Sequence, residues 1–155
     1  MNLRILLVED EQTLAETIKL NLELEGYTVN AIGDGKKALK AFKSTFADAE
    51  NVVWTDAVNS YTVKFTQQGI NTFVKYDEEG NFVSSRRYYS AELLPIDIQC
   101  KLKKKFADKT VFGVTEFTVG DEVNYYVKLE DAKNWTTVKI DNNRNMEITE
   151  KFGKI

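Results

Sequence analysis

The feature that most constrains this 155-residue chain is an internal repeat. Ala41-Phe42-Lys43-Ser44-Thr45-Phe46-Ala47-Asp48 returns 60 residues later as Lys101-Leu102-Lys103-Lys104-Lys105-Phe106-Ala107-Asp108. Tyr61-Thr62-Val63-Lys64-Phe65 returns 64 residues later as Tyr125-Tyr126-Val127-Lys128-Leu129. At the same offset of 64, Phe73-Val74-Lys75-Tyr76-Asp77 becomes Thr137-Val138-Lys139-Ile140-Asp141, and Gly80-Asn81 becomes Arg144-Asn145. The change of offset means a few residues are inserted in the second copy. Self-similarity of this kind marks one supersecondary unit used twice. Each copy reads as a helix followed by about four short strands, with polar turns at Thr66 to Gly69, Asp77 to Asn81, Glu130 to Asn134 and Asp141 to Asn145. Short strands with polar turns form antiparallel meanders. The copies cover about 41–90 and 95–152, and Pro95 opens the second helix, where a missing N–H costs nothing.

The first 40 residues are built differently. They hold one aromatic, Tyr27, and 13 Leu, Ile and Val, whereas the other 17 aromatics follow residue 40. Leu3 to Val8 is a continuous apolar run, the pattern of a strand buried on both faces. Glu11 to Glu25 is amphipathic through Leu14, Ile18 and Leu22 with Leu24 beside them, and Gly26 follows as a C-cap. Tyr27 to Ile32 reads as a second strand and Gly33-Asp34-Gly35 as a turn. Strands alternating with a helix predict a parallel βαβ unit. Lys36 to Phe46 is a single helix with Ala38, Leu39, Phe42 and Phe46 on one face, so the border between the two compositions lies inside it. The fold class is α+β: a short N-terminal βαβ piece over 1–40, then two helix-plus-meander repeats over 41–155. Two open-edged strands and one complete helix are too little for a core, so the piece must dock, dimerise or stay partly unfolded.

Composition removes several functions. Twenty-one basic against 24 acidic residues, net −3, leave no electrostatic footprint for nucleic acid. No apolar run approaches the ~18 residues of a membrane span. The start MNLRILLVEDE is not a signal peptide, which makes the cytoplasm the expected compartment for the chain as written. One cysteine forms no internal disulfide, and Cys100 is expected as a small buried side chain near Ile96. Without histidine there is no Ser-His or Cys-His pair and no His-ligated metal. The expectation is a protein that is not an enzyme and needs no cofactor.

Two places carry candidate chemistry. Strand alternation puts Val74 and Tyr76 with Val138 and Ile140 toward the core, so Phe73, Lys75, Trp135 and Lys139 share the opposite face. Tyr126, opposite Tyr125, Val127 and Leu129, joins them. Aromatics interleaved with lysines suit a protein-binding surface. The second place is Glu9, Asp10 and Glu11, which reads either as a Mg²⁺ site or as a solvated strand end at a helix N-terminus, where acids are favoured. Lys101 to Lys105 reads as a solvated helix face, or as a contact for an anionic partner.

Two family resemblances follow. Ile5-Leu6-Leu7-Val8-Glu9-Asp10-Glu11, the helix Leu14 to Leu24, Gly26-Tyr27 and Gly33-Asp34-Gly35-Lys36-Lys37-Ala38-Leu39 resemble the start of a response-regulator receiver domain of two-component signalling. The resemblance implies that Glu9 and Asp10 bind Mg²⁺ beside a phospho-accepting aspartate, for which Asp56, after Asn51-Val52-Val53-Trp54-Thr55, is the candidate, with a histidine kinase as partner. The pattern departs after Asp56. No Met-Pro or Leu-Pro follows it, no strand ends in Ser/Thr-Ala, and no Lys-Pro occurs. From residue 41 onward the chain resembles the PepSY-like family, which shares its fold with β-lactamase inhibitor protein. Ala41-Phe42-Lys43, Phe46 to Trp54, Tyr61 to Phe65, Tyr76 to Phe82 and Leu94-Pro95 carry this likeness. It implies helices packed on a curved antiparallel sheet, protein binding or inhibition, and relatives that are periplasmic or secreted. The combined reading is a chimera, whether evolved, assembled or engineered, acting as a non-enzymatic protein-binding module. The alternatives are Mg²⁺-dependent phosphorylation on Asp56, and a chimera without an evolved function.

Overall fold

A computed structural model describes residues 4–9, 11–32 and 35–154. It has the α+β architecture expected, with β1 (Arg4–Val8), α1 (Gln12–Leu24) and β2 (Thr28–Ile32) first. The first repeat follows as α2 (Lys36–Thr45), β3 (Glu50–Ala57), β4 (Ser60–Gln67), β5 (Ile70–Asp77) and β6 (Phe82–Tyr89). The second is α3 (Ile96–Lys105), β7 (Thr110–Val119), β8 (Glu122–Glu130), β9 (Asn134–Ile140) and β10 (Met146–Gly153). β1 and β2 pair in parallel as a sheet of their own. The other strands form an eight-stranded antiparallel sheet in sequence order, β3 to β10. The chain divides into two compact units, 1–67 with 74–83, and 68–73 with 84–155.

In the first unit α1 ends where Gly26 predicts. Gly26, at φ +87°, donates to the Glu23 carbonyl, and Tyr27 N–H donates to the Leu22 carbonyl, the paired bonds of a Schellman cap. The buried stripe of α1 differs from expectation. Ala15 is buried, Ile18 and Leu22 are half-buried, and Leu14 and Leu24 are 42% and 77% exposed. The contact stripe therefore centres one residue later than Leu14. α2 buries Ala38 and Phe42 against Trp54, Tyr61, Val63, Phe65, Val74 and Tyr76. Its core is a ring cluster: Phe42 meets Trp54 and Phe65 edge-on at 5.5 and 5.1 Å, and Phe46 lies 4.7 Å from Phe65. Such pairs add to simple area burial.

The second unit repeats the plan with other residues. Pro95 caps α3, whose Ile98 and Leu102 pack on Val114, Tyr125, Val127, Leu129, Val138 and Ile140. Asp97 in its first turn and Lys103, Lys104 and Lys105 in its last complement the helix dipole. The five-residue stretch 101–105 is thus an exposed face broken by buried Leu102. Cys100 corrects an expectation: it is exposed, as is Ile96 at 79%. Ile98 and Leu102 define the core side of α3, and a residue two positions from each lies on the far side of the helix.

Candidate functional site

Alternation sorts the second unit's side chains to two faces. Tyr125, Val127, Leu129, Val138 and Ile140 are buried against α3. Tyr126, Lys128, Trp135, Thr137 and Lys139 point the other way and are half-buried. The register sets Tyr88 opposite Thr115, Thr115 opposite Tyr126, and Tyr126 opposite Lys139. Directly opposed side chains on one face interact, so this row runs from β6 to β9.

A β-bulge adds a ring to this face. The β7–β8 register shifts between Val111 and Gly113, which leaves Phe112 as the extra residue. Val111 and Val114 stay with the core, and Phe112 turns outward, 62% exposed. Its ring stands T-shaped on Trp135 at 4.9 Å and 83°. Phe152 of β10 is opposite Trp135. Lys128 Nζ sits among the three rings, 4.8 Å from the Trp135 centroid and 5.7 Å from those of Phe112 and Phe152. Lys154 Nζ lies 4.6 Å from the Trp135 centroid and 2.8 Å from Glu130 Oε2. A second cluster holds the Arg86 guanidinium 4.9 Å from the Phe73 centroid and 5.5 Å from that of Tyr88, with Phe73 and Tyr88 edge-to-face at 6.1 Å. Cations over ring faces are attracted by the ring quadrupole. The rings restrain the long cationic side chains, which leaves them less rotamer freedom to lose.

On the opposite face, Glu116 ties β6 to β7. It accepts a hydrogen bond from the Tyr89 hydroxyl at 2.6 Å and one from Arg87 Nη1 at 3.2 Å. Burial first, and then the bond to Glu116, raise the Tyr89 hydroxyl's pKa far above its ordinary value.

Of the residues expected on the binding face, Phe73, Tyr126, Trp135 and Lys139 lie on the outer face of the second unit, and Lys75 is exposed on β5 within the first. Sequence reasoning missed Arg86, Tyr88, Phe112, Lys128, Phe152 and Lys154. Alternation from Tyr125, Val127 and Leu129 already places Lys128 outward. Phe112 was hidden because a bulge inverts the alternation.

Glu9 follows β1 and Asp56 lies in β3, strands of different sheets. Glu9 Oε1 accepts the Glu11 N–H at 3.2 Å and lies 3.9 Å from Lys36 Nζ. Asp10 and Asp34 fall outside the described residues. Asp56 is exposed near the end of β3, opposite Tyr61 in the antiparallel sheet, whereas β1, which leads to Glu9, belongs to the parallel pair. Asp56 opens on a cleft of about 530 Å³ shared with Tyr61 and Glu78. Among the described residues no three Asp, Glu or Cys side chains come together as a metal-binding group. Among them, too, no helix is long and apolar enough to cross a membrane.

No family model matches the chain. Over 49 residues it is 43% identical to the alkaline phosphatase synthesis transcriptional regulatory protein SphR of Synechococcus elongatus. That match covers 32% of this chain and spans about a fifth (19%) of the regulator's length. Among solved structures, a BLIP-like protein of Bacteroides fragilis is similar at TM-score 0.59 and 14% identity, over 84% of this chain and 91% of that one. A DUF2874 family protein of Bacteroides uniformis is similar at TM-score 0.57 and 16% identity, over 76% and 88%. A putative periplasmic protein of Bacteroides eggerthii is similar at TM-score 0.57 and 14% identity, over 76% and 87%. At these identities the likeness is one of fold: this chain has the architecture of the BLIP-like and DUF2874 proteins.

Proposed function

We propose that this chain is a non-enzymatic protein-binding module whose contact surface is the outer face of the second unit, with Phe73, Tyr126, Trp135 and Lys139 joined by Phe112, Lys128 and Phe152. The observation that carries the reading is the bulged Phe112 packed on Trp135 around Lys128, an anchor of rings that the core does not use. Exposed Lys75 extends the list of candidate contacts on the first unit. The face carries both charges, Arg86, Lys128, Lys139 and Lys154 beside Glu130, Glu147 and Glu150, so the fitting partner is a protein whose surface complements the rings and offers both signs of charge. The partner is found by photo-crosslinking from position 112, with position 100 on α3 as the control. Its affinity is then measured for Trp135→Ala and Phe112→Ala. Each should bind about tenfold or more weakly, as expected when a buried aromatic anchor is truncated. Unchanged binding in both variants would remove the face from the interaction.

A second reading rests on the 49-residue likeness to a transcriptional regulator. Under it, Asp56 accepts a phosphoryl group from a histidine kinase and Glu9 and Asp10 hold Mg²⁺. Intact mass after incubation with acetyl phosphate and Mg²⁺, with Asp56→Asn alongside, decides it: an adduct lost in the variant moves the function to signalling. The two readings also differ in compartment. The signalling reading needs the cytoplasm, and the binding reading fits the periplasm named for one fold neighbour. Fractionation of the native host separates them.

A further inference from the structure

The junction between the repeats shows how one copy of the unit receives the next. β6 ends the first repeat and β7 begins the second. They pair antiparallel, with Arg86 opposite Phe117, Arg87 opposite Glu116, Tyr88 opposite Thr115 and Tyr89 opposite Val114. An ion pair closes the junction: Arg87 Nη1 lies 3.2 Å from Glu116 Oε1, and opposite charges directly across two strands attract. The same two kinds of strand stand at the ends of the eight-stranded sheet, where among the described residues each has a neighbour on one side only. β10 is the mate of β6, at the offset of 64, and β3 is the mate of β7, at the offset of 60. The edge that β6 offers to β7 is therefore the edge that β10 leaves free. The edge that β7 offers to β6 is likewise the one that β3 leaves free.

The free edges keep the charges of the junction. At these offsets Arg87 corresponds to Lys151, and Glu116 to Asp56. Lys151 is opposite Thr136 and Asp56 is opposite Tyr61, both buried, so each points to the core face of its own unit. Both are exposed, and among the described residues neither is ion-paired within the chain. Set against each other in the register of the junction, β10 of one copy and β3 of another bring Lys151 opposite Asp56. Glu150 then falls opposite Ala57, Phe152 opposite Thr55 and Gly153 opposite Trp54, so no like charges meet. Phe152 and Val53, 48% and 52% exposed, become diagonal neighbours. The register shifts of the two strands lie before these stretches, between Ile148 and Glu150 and between Glu50 and Val53, so both stretches run regular. Unpaired edges of this kind are templates for another chain.

We propose that a second copy of this chain docks head to tail, with β10 of one copy adding antiparallel to β3 of the next and Lys151 against Asp56 in place of Arg87 against Glu116. The contact joins two different edges, so it is heterologous. It uses strand edges and holds whether or not the outer face binds a partner. Tyr89, whose hydroxyl also bonds Glu116, has Gly153 as its mate, so the contact between copies is weaker than the internal one. Such a small interface belongs to the weak, transient class, with a dissociation constant on the order of 100 µM. Sedimentation velocity of the full chain, from roughly 10 µM to 1 mM, should show reversible association. Lys151→Glu and Asp56→Lys should each weaken it about fivefold or more, because attraction becomes repulsion. Both substitutions in one chain exchange the charges and should restore it. Crosslinking reads the geometry directly. With Cys100→Ser removing the exposed native thiol, an oxidised mixture of Asp56→Cys and Lys151→Cys chains should form the mixed disulfide faster than either forms its own. Three outcomes overturn the proposal: a chain that stays monomeric up to roughly 1 mM, which would leave the edges to a strand of another protein; a double variant that associates no better than the single ones; or crosslinking without preference for the mixed pair.

Discussion

The two repeats share a frame and differ in where they keep their rings. At core positions the first has Phe42, Trp54, Phe65 and Tyr76, and the second has Leu102, Val114, Leu129 and Ile140. On the outer face the direction reverses. Val52, Asn71 and Thr62 in the first correspond to Phe112, Trp135 and Tyr126 in the second. Both repeats carry a register shift at the same place, between Glu50 and Val53 and between Val111 and Gly113. The frame is thus fixed by alternation, bulge and turn, which tolerate many residues. The use of each copy is set by which face carries the aromatics. The first repeat packs Phe42, Trp54, Phe65 and Tyr76 in its core, and Phe73 and Tyr88 are its rings on the outer face. The second packs mainly aliphatic side chains in its core and carries Phe112, Tyr126 and Trp135 on the outer face.

The largest effect that tests this contrast is in the cores. Phe65 and Leu129 are mates, each 1% exposed. Phe65→Ala should destabilise by about 4 kcal/mol, because a buried ring leaves a large cavity and its contacts with Phe42 and Phe46 are lost. Leu129→Ala should cost about 3 kcal/mol, because an aliphatic side chain leaves a smaller cavity than a ring and no ring contacts are lost. Urea unfolding of both variants measures the difference. Equal losses would mean that the ring cluster adds nothing beyond buried area.

The next contrast is at the turns. Gly80 and Arg144 are mates and both have positive φ, +81° and +67°. A Cβ on Gly80 would lie 2.7 Å from the Lys37 carbonyl carbon and 2.9 Å from Ala38 N, at the start of α2. In the second copy the mate of Lys37 is Asp97, and Arg144 Nε donates to Asp97 Oδ2 at 2.9 Å. A close backbone approach has been replaced by an ion pair. Gly80→Ala should cost about 2 kcal/mol or more, from left-handed strain plus displacement of α2. Arg144→Gly should change stability by less than about 1 kcal/mol, because relief of backbone strain offsets a half-exposed ion pair. Thermal melts of the two variants separate these cases. Similar losses would mean that the Arg144–Asp97 contact outweighs the relief of backbone strain in the second copy.

Most of this frame was legible in the residues. The repeat, the polar turns, Gly26 as a cap, Pro95 at the start of α3 and the inward sets Val74–Tyr76 and Val138–Ile140 all follow from local rules of backbone conformation and period two. What was not legible depends on three-dimensional surroundings. Cys100 and Leu14 are apolar in type, yet each lies off the contact stripe of its helix, and which stripe packs is decided by the partner surface. Phe112 was missed because one extra residue inverts the alternation. The receiver-like start shows the reverse limit. A motif places Glu9 after a strand, but Asp56 goes where its own antiparallel pairing takes it.

A smaller effect concerns Thr136, the one buried side-chain polar atom among the described residues that lacks a hydrogen-bond partner. It is 1% exposed and lies in the second core opposite Leu129. Thr136→Val keeps the branched shape and removes an unsatisfied hydroxyl, so the variant should be more stable by about 1 kcal/mol. Chemical denaturation of the variant checks it. A loss instead would mean that the hydroxyl holds a partner such as a buried water, and that the second core is less dry than the first.

The smallest contrast is one the repeats should fail to show. Asp77 and Asp141 open equivalent turns, each accepting the backbone N–H of the Asn four residues on, at 2.7 and 2.9 Å, and that Asn's side-chain amide at 3.0 and 2.8 Å. The Asn81 and Asn145 side-chain bonds first, and the backbone N–H bonds next, hold both carboxyls below their ordinary pKa. The sign follows from linkage. A carboxyl with a lower pKa in the folded state adds stability above its unfolded value of about 3.9, and that stability is lost as pH falls through the folded value. Asp77→Asn and Asp141→Asn should each lower the urea midpoint at neutral pH, and each deficit should shrink as the pH falls below the unfolded value of about 3.9 and through the lower folded value. Because the bonds are the same in both turns, the two pH profiles should nearly superimpose, even though one turn rests on glycine and the other on an arginine bound to Asp97. A deficit confined to one repeat would show that the turn's surroundings, and not its Asp–Asn bonds, set the carboxylate's contribution.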